Sequence, residues 1–181
     1  MTSADILLGL VLAGAFLIGF FWGVVRGLLG LAAWLVTFLL AAHLSGPGGD
    51  YIQGQWRNFS PAFNHMLAFL ITFGVLFTLG LILIQLGTRG SHDLSRYPIV
   101  DDILGGLLGA VLAILVVAAV IAILRTYYEP VPESSNVADW ATNLYVALRT
   151  STIGGQIESG VVPIMNTLLD PLLPSTIRGH L

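Results

Sequence analysis

Long apolar stretches alternate with short polar segments along most of the chain. Between Ile6 and Leu44 the only formally charged residue is Arg26, which has a glycine three positions before it and another directly after it. One helical crossing of a hydrocarbon core roughly 30 Å thick takes about 20 residues, so this stretch is long enough for two. A charged side chain is costly at the centre of a bilayer. We therefore predict two helices, near residues 6–25 and 28–44, joined at this arginine.

Two further apolar stretches follow after a polar interval. The Ser-Gly-Pro-Gly-Gly-Asp sequence of residues 45–50 predicts a helix stop and a loop. Ser60 followed by Pro61 is typical of a capped helix start. We predict a third helix at residues 66–86 and a fourth at residues 103–124. The fourth is rich in β-branched residues, but lipid cannot satisfy an open sheet edge, so a helix is favoured.

The tail changes in character after Arg125. Residues 129–135 hold two prolines and two glutamates, which predicts a linker. Beyond it, apolar residues recur at spacings of three, four and seven, which is the pattern of an amphipathic helix ended by the prolines at 171 and 174. Such a helix would lie on the membrane surface or dock on the bundle without spanning. The apolar positions are Ile157, Val161, Val162, Ile164, Met165, Leu168, Leu169 and Leu172.

The predicted fold is all-α. A bundle of four transmembrane helices would occupy residues 1–126, and a linker with an amphipathic helix would occupy residues 127–181. Composition agrees, because 56% of the 181 residues are hydrophobic and only 9% are charged, against about 25% charged in soluble domains. The lipid bilayer is therefore an expected partner. Seven single arginines and no lysine form no basic patch, which excludes a nucleic-acid-binding class.

Arginine placement gives an orientation. Arg26, Arg89 and Arg96 fall between helices 1 and 2 or between helices 3 and 4, whereas Arg57 alone falls between helices 2 and 3. The positive-inside rule then places the connection between helices 1 and 2 and the connection between helices 3 and 4 in the cytoplasm, with both termini outside. Arg125, directly after the fourth helix, favours the opposite orientation.

Glycines four residues apart are the clearest packing signal. They would form grooves in which a second helix backbone can approach closely, and lipid offers no hydrophobic effect to drive helix association otherwise. Such grooves serve an oligomer interface, a pore-lining helix or ordinary packing inside one bundle, and the pattern alone does not separate these. The candidate packing residues are Gly19, Gly23, Gly27, Gly105 and Gly109.

Charged residues beside these glycines have structural interpretations. Asp101 and Asp102 precede the fourth helix, where a carboxylate favours the positive end of the helix dipole, so we predict helix N-caps. Arg26 would mark the hairpin turn and its topology, although it could also contact an anionic lipid or a partner.

The sequence gives no candidate for catalysis or for cofactor or metal binding. It has no cysteine, which excludes disulfides and thiolate chemistry. The sequence lacks a nucleophile elbow and a phosphate-binding glycine loop. Four histidines stand without the close spacing of zinc ligands: His43, His65, His92 and His180.

Four short motifs occur together in this chain: Gly-Val-Val-Arg-Gly at residues 23–27, the following Leu35-Val36-Thr37, Asp101 with glycines at 105 and 109, and a proline-containing tail at residues 150–174. In these motifs the chain resembles the colicin V production family of bacterial inner-membrane proteins. The resemblance implies four spans in the inner membrane and a role in colicin V production or export. The chain departs from it where the family usually has an arginine and a glutamate, here Gly30 and Leu31, and where it often has arginines, here Asp102 and Leu112.

Three functions remain open on this basis. The first is a non-enzymatic inner-membrane protein that acts in toxin production or membrane-complex assembly, as a homo-oligomer or with other membrane proteins. The second is an oligomeric pore or carrier for a peptide or small solute. The third is an accessory subunit of a respiratory or photosynthetic complex.

Overall fold

The protein is a bundle of helices. The computed structural model describes residues 2–56, 60–88, 98–128 and 139–169, and all regular structure in these ranges is α-helical, which confirms the all-α prediction. The predicted linker at 129–135, the loop arginines 89 and 96, and the prolines at 171 and 174 lie outside the described residues. The helices are α1 (Ser3–Gln55), α2 (Pro61–Gly87), α3 (Pro98–Tyr128), α4 (Asp139–Thr150) and α5 (Thr152–Leu169).

Three of these helices, α1, α2 and α3, are long and apolar enough to cross a membrane. α1 contains 53 residues, which would measure about 80 Å if it were straight. Gly23 interrupts it with φ 73° and ψ 174°, a backbone conformation that is essentially restricted to glycine. The interruption lies in the segment where the sequence predicted a division. We call residues 3–22 the first arm of α1 and residues 24–55 the second arm.

The two arms run in opposite directions along α3. In the first arm, Ala15 meets Gly109 and Gly19 meets Gly105, so the residue numbers rise in one helix and fall in the other. In the second arm, Gly27 meets Leu108 and position 30 meets position 112, so the numbers rise together. α1 therefore folds into a helical hairpin that reverses at Gly23, with α3 packed against both arms.

α2 runs antiparallel to the second arm, and aromatic rings join them. Phe38 is fully buried, with its ring centroid 5.4 Å from that of Phe69 and 6.2 Å from that of Phe73. On its own arm it stacks on Trp34 at 5.4 Å. α2 begins as predicted, because Ser60 is its N-cap and accepts a hydrogen bond from the Phe63 amide.

The predicted helix stop at residues 45–50 is wrong. α1 continues through Pro47 to Gln55, because this segment is docked on α2. A β-carbon on Gly48 would lie 3.3 Å from the β-carbon of Ala68, and the ring of His65 lies against Gly49. These contacts outweigh the poor intrinsic helix propensity of glycine and proline.

The tail covers one end of α3. α4 was not predicted, and α5 falls where the sequence predicted a helix; both pack on α3, and α5 also contacts α1. Consecutive residues at the end of α3 are buried on every side, which shows that protein and not lipid surrounds them. These are Ala118, Ala119, Ile121, Ala122, Ile123 and Leu124, with Val120 partly buried among them.

Large apolar side chains remain exposed on the outer faces of the first arm, α2 and the first half of α3. Water solvates such continuous apolar faces poorly, whereas lipid tails solvate them well. This pattern is that of an α-helical membrane protein. Examples with exposed fractions from 44% to 75% are Leu10, Leu17, Phe21, Val75, Leu79, Leu83, Leu107 and Val111.

Candidate functional site: a glycine–aspartate interface at the helix reversal

Glycines of α1 and α3 bring the two backbones into direct contact. A β-carbon on Gly105 would lie 2.5 Å from the carbonyl oxygen of Gly19 and 2.7 Å from the α-carbon of Gly23. One on Gly109 would overlap the carbonyl oxygen of Ala15 and lie 3.0 Å from the α-carbon of Gly19. Real β-carbons do not reach such distances, so only glycine permits this approach.

All five predicted packing glycines lie in contacts within the chain. Gly19, Gly105 and Gly109 meet one another, while a β-carbon on Gly27 would lie 2.8 Å from that of Leu108. Gly23 lies against the carboxylate of Asp101. The groove formed by these glycines is therefore filled by contacts within one molecule. We call Gly19, Gly23, Gly27, Asp101, Gly105 and Gly109 the glycine–aspartate interface.

Asp101 caps a helix other than its own. α3 begins at Pro98, so Asp101 lies in its first turn, Asp102 follows, and neither is at the N-cap that the sequence predicted. The Val24 amide donates a hydrogen bond of 3.2 Å to Oδ1 of Asp101. Val24 opens the second arm, whose first amides have no partner within the helix. The carboxylate thus supplies from α3 the cap that the second arm lacks, and this long-range contact is invisible in the local pattern.

Arg26 binds the C-terminal end of α2. Its side chain is only 8% exposed. Its Nε donates to Oγ1 of Thr88 at 2.7 Å, and its Nη2 donates to the carbonyl oxygen of Thr88 at 2.8 Å. Thr88 is the C-cap of α2, where a cation favours the negative end of the helix dipole. The predicted turn residue thus ties the start of the second arm to the end of α2.

Asp5 repeats this device at the other end of the bundle. It is 2% exposed, and its Oδ1 accepts a hydrogen bond of 3.1 Å from the amide of Ile153, in the first turn of α5. Its Oδ2 accepts from the amide and hydroxyl of Thr2, completing a capping box. Sequence reasoning missed Asp5, although a threonine followed three residues later by an aspartate is a known helix-start signal.

The chemistry of this region is that of packing. Among the residues that the structure describes, no three histidine, aspartate or glutamate side chains are placed to hold a metal ion. A cavity of about 370 Å³ adjoins the interface, and its walls are almost entirely apolar. It is lined by residues that include Trp22, Gly27, Phe77, Leu81 and Val116.

Comparison with known proteins decides the family. The family model described as colicin V production protein matches residues 4–159. The chain belongs to the colicin V production protein family. No curated protein and no solved structure matched the chain.

The colicin V production family motifs quoted from the sequence meet in space. The Gly-Val-Val-Arg-Gly turn and the Asp101 segment, 77 residues apart along the chain at their hydrogen bond, form one interface. Two of the departures from the family pattern also face each other, because a β-carbon on Gly30 would lie 3.1 Å from Cδ2 of Leu112. The contact between these two positions is apolar in this chain.

We expect Gly109→Ala to destabilise the protein, because its methyl group would collide with backbone atoms of Ala15 and Gly19. The loss should be about 2 kcal/mol or more, as for overpacking of a core. The free energy of unfolding by SDS titration in mixed micelles measures it. Gly14→Ala is the matched control, since a β-carbon there meets nothing within 4 Å. Equal stabilities of the two variants would contradict the close approach.

We expect Asp101→Ala to cost about 0.5–2 kcal/mol, the usual value of an N-cap, through loss of the Val24 hydrogen bond. Asp101→Asn should lose less, because an amide oxygen still accepts. Asp102→Ala is the control at the adjacent position, and it should change stability little, since the Val24 amide donates to Asp101 and not to Asp102. The same SDS titration applies, and a larger effect at Asp102 would show that the dipole of α3 matters more than the cap.

Proposed function

We propose that the protein is a non-enzymatic inner-membrane component of colicin V production, acting in toxin export or membrane-complex assembly through helix–helix contacts. The observation that supports this proposal is that the family motifs form the contacts between helices. Gly23, Arg26, Asp101 and their glycine neighbours shape the bundle and close helix ends. These groups therefore make contacts within the chain. A partner, either a second copy or another membrane protein, would contact the outer apolar faces of the helices.

The apolar character of two cavities among the described residues supports this function over the pore or carrier. The cavity beside the interface and a second one of about 350 Å³ between Trp34, Leu115 and α5 have almost no polar surface. A polar solute or ion needs hydrogen-bond partners to replace its water. Such walls offer very few.

The reversal of α1 supports four crossings. The first arm has 20 residues, enough for one crossing, and the second arm runs back along the same helix. With α2 and α3 this makes four alternating spans. Arg26, the end of α2 and the start of α3 share one side. The connection between α2 and α3 also carries Arg89 and Arg96, which supports a cytoplasmic location for this side and extracytoplasmic termini.

α5 would be an amphipathic helix lying in the membrane interface. Its buried face, which includes Ile157, Val162 and Met165, packs towards the bundle. Its exposed surface includes apolar Ile164 and Leu168, 62% and 68% exposed, together with polar Ser159 and Thr167. This division suits a helix with lipid on one flank and water on the other.

Single cysteines test the topology, since the native chain contains none. In intact inner-membrane preparations, a membrane-impermeant maleimide should label Ser3→Cys and Asp50→Cys from the same side and Gly87→Cys from the other. Ser3 and Asp50 bracket almost the whole of α1, so a helix that crossed only once would place them on opposite sides. Labelling of Ser3→Cys and Asp50→Cys from opposite sides would contradict the four-span proposal.

Colicin V secretion tests the function. We expect a producing strain that lacks this gene to secrete less toxin, and the wild-type chain or Gly14→Ala to restore secretion. Gly109→Ala should restore it poorly because the interface is disturbed. Purified protein in liposomes should give no solute flux, and measurable flux would favour the pore instead. Full secretion without the gene would contradict the proposed role.

A further inference from the structure

His65 of α2 joins that helix to the distal part of the second arm. One ring nitrogen, Nδ1, lies 3.1 Å from the carbonyl oxygen of Ser45. The other, Nε2, lies 3.5 Å from Oδ1 of Asp50. The ring itself rests on Gly49, where a β-carbon would overlap it. One imidazole thus contacts three residues of α1, at positions 45, 49 and 50.

Both atoms that face the ring nitrogens are acceptors. A neutral imidazole carries one N–H, so it can donate either to Ser45 or to Asp50 and must turn a lone pair towards the other oxygen. An imidazolium carries two N–H groups and satisfies both oxygens. The arrangement of the two acceptors therefore matches the protonated ring.

The segment that His65 holds is intrinsically a poor helix. Residues 45–55 contain four glycines and Pro47, and each glycine costs about 1 kcal/mol relative to alanine in a helix. The helix persists there because it is docked on α2. A change in the strength of that docking will therefore change the population of the docked segment.

We propose that His65 is a proton-dependent clasp between residues 45–55 and α2. Protonation of the ring adds the second hydrogen bond and an ion pair to Asp50. The clasp is tighter in mildly acidic surroundings and looser in alkaline ones. It adds a regulatory feature that does not depend on the role in toxin production.

Among the residues that the structure describes, few other charged groups face this joint. α2 itself holds no charged residue besides His65. On α1, His43 bonds its own helix through the Leu39 carbonyl oxygen, and Tyr51 is 74% exposed. α3 carries Arg125 in its last turn, and arginine stays charged in proteins. The ring of His65 therefore supplies the change in charge.

The distance between two spin labels tests the clasp, and this readout is not itself sensitive to pH. With Tyr51→Cys and Leu79→Cys labelled in nanodiscs, we expect the ratio of docked to undocked segment to rise about two- to fivefold from about pH 8 to about pH 5.5, as an exposed ion pair provides. His65→Gln should abolish the response, whereas His43→Gln should keep it.

Asp50→Asn provides a second variant at a 75% exposed side chain, where the fold is not at risk. It should reduce the response by removing the anionic partner. An unchanged distance distribution of the wild type at the two pH values would overturn the proposal. So would a response that survives in both His65→Gln and Asp50→Asn.

Discussion

The hydrogen bond between the Asp101 carboxylate and the Val24 amide supports the rest of the architecture. When α1 reverses at Gly23, the first amides of the second arm lose their helical partners at the edge of a low-dielectric region. An unpaired buried amide costs about 1–3 kcal/mol, and a hydrogen bond to a charged group returns a similar amount. Because Asp101 belongs to α3, the reversal is stable only where α3 lies across it.

The same rule governs the other helix ends. Asp5 serves the start of α5, and Arg26 serves the end of α2. Each carboxylate meets a helix N-terminus and the guanidinium meets a C-terminus, as the helix dipole favours. Between these ends the glycines allow backbone contact, which matters in lipid because association there depends on close packing. The capped helix ends and the glycine–aspartate interface together explain how so apolar a chain adopts one arrangement.

Local patterns predicted much of this fold. Apolar length predicted the long helices, and Ser60 with Pro61 predicted the start of α2. Glycines around Arg26 predicted the division of α1. The failures came from contacts between distant residues. Residues 45–50 resemble a helix stop until α2 packs on them, and Asp101 resembles the cap of α3 until the second arm is placed beside it. The spacing of the glycines was visible, but their partners were not.

The distance along the chain between Val24 and Asp101 has a consequence for biosynthesis. The turn of α1 emerges from the ribosome 77 residues before the carboxylate that caps it, several seconds earlier at ordinary rates of translation. During that interval the Val24 amide lacks its carboxylate cap. α3 is then the element that completes the turn, so truncation before α3 leaves the earlier helices without a defined bend.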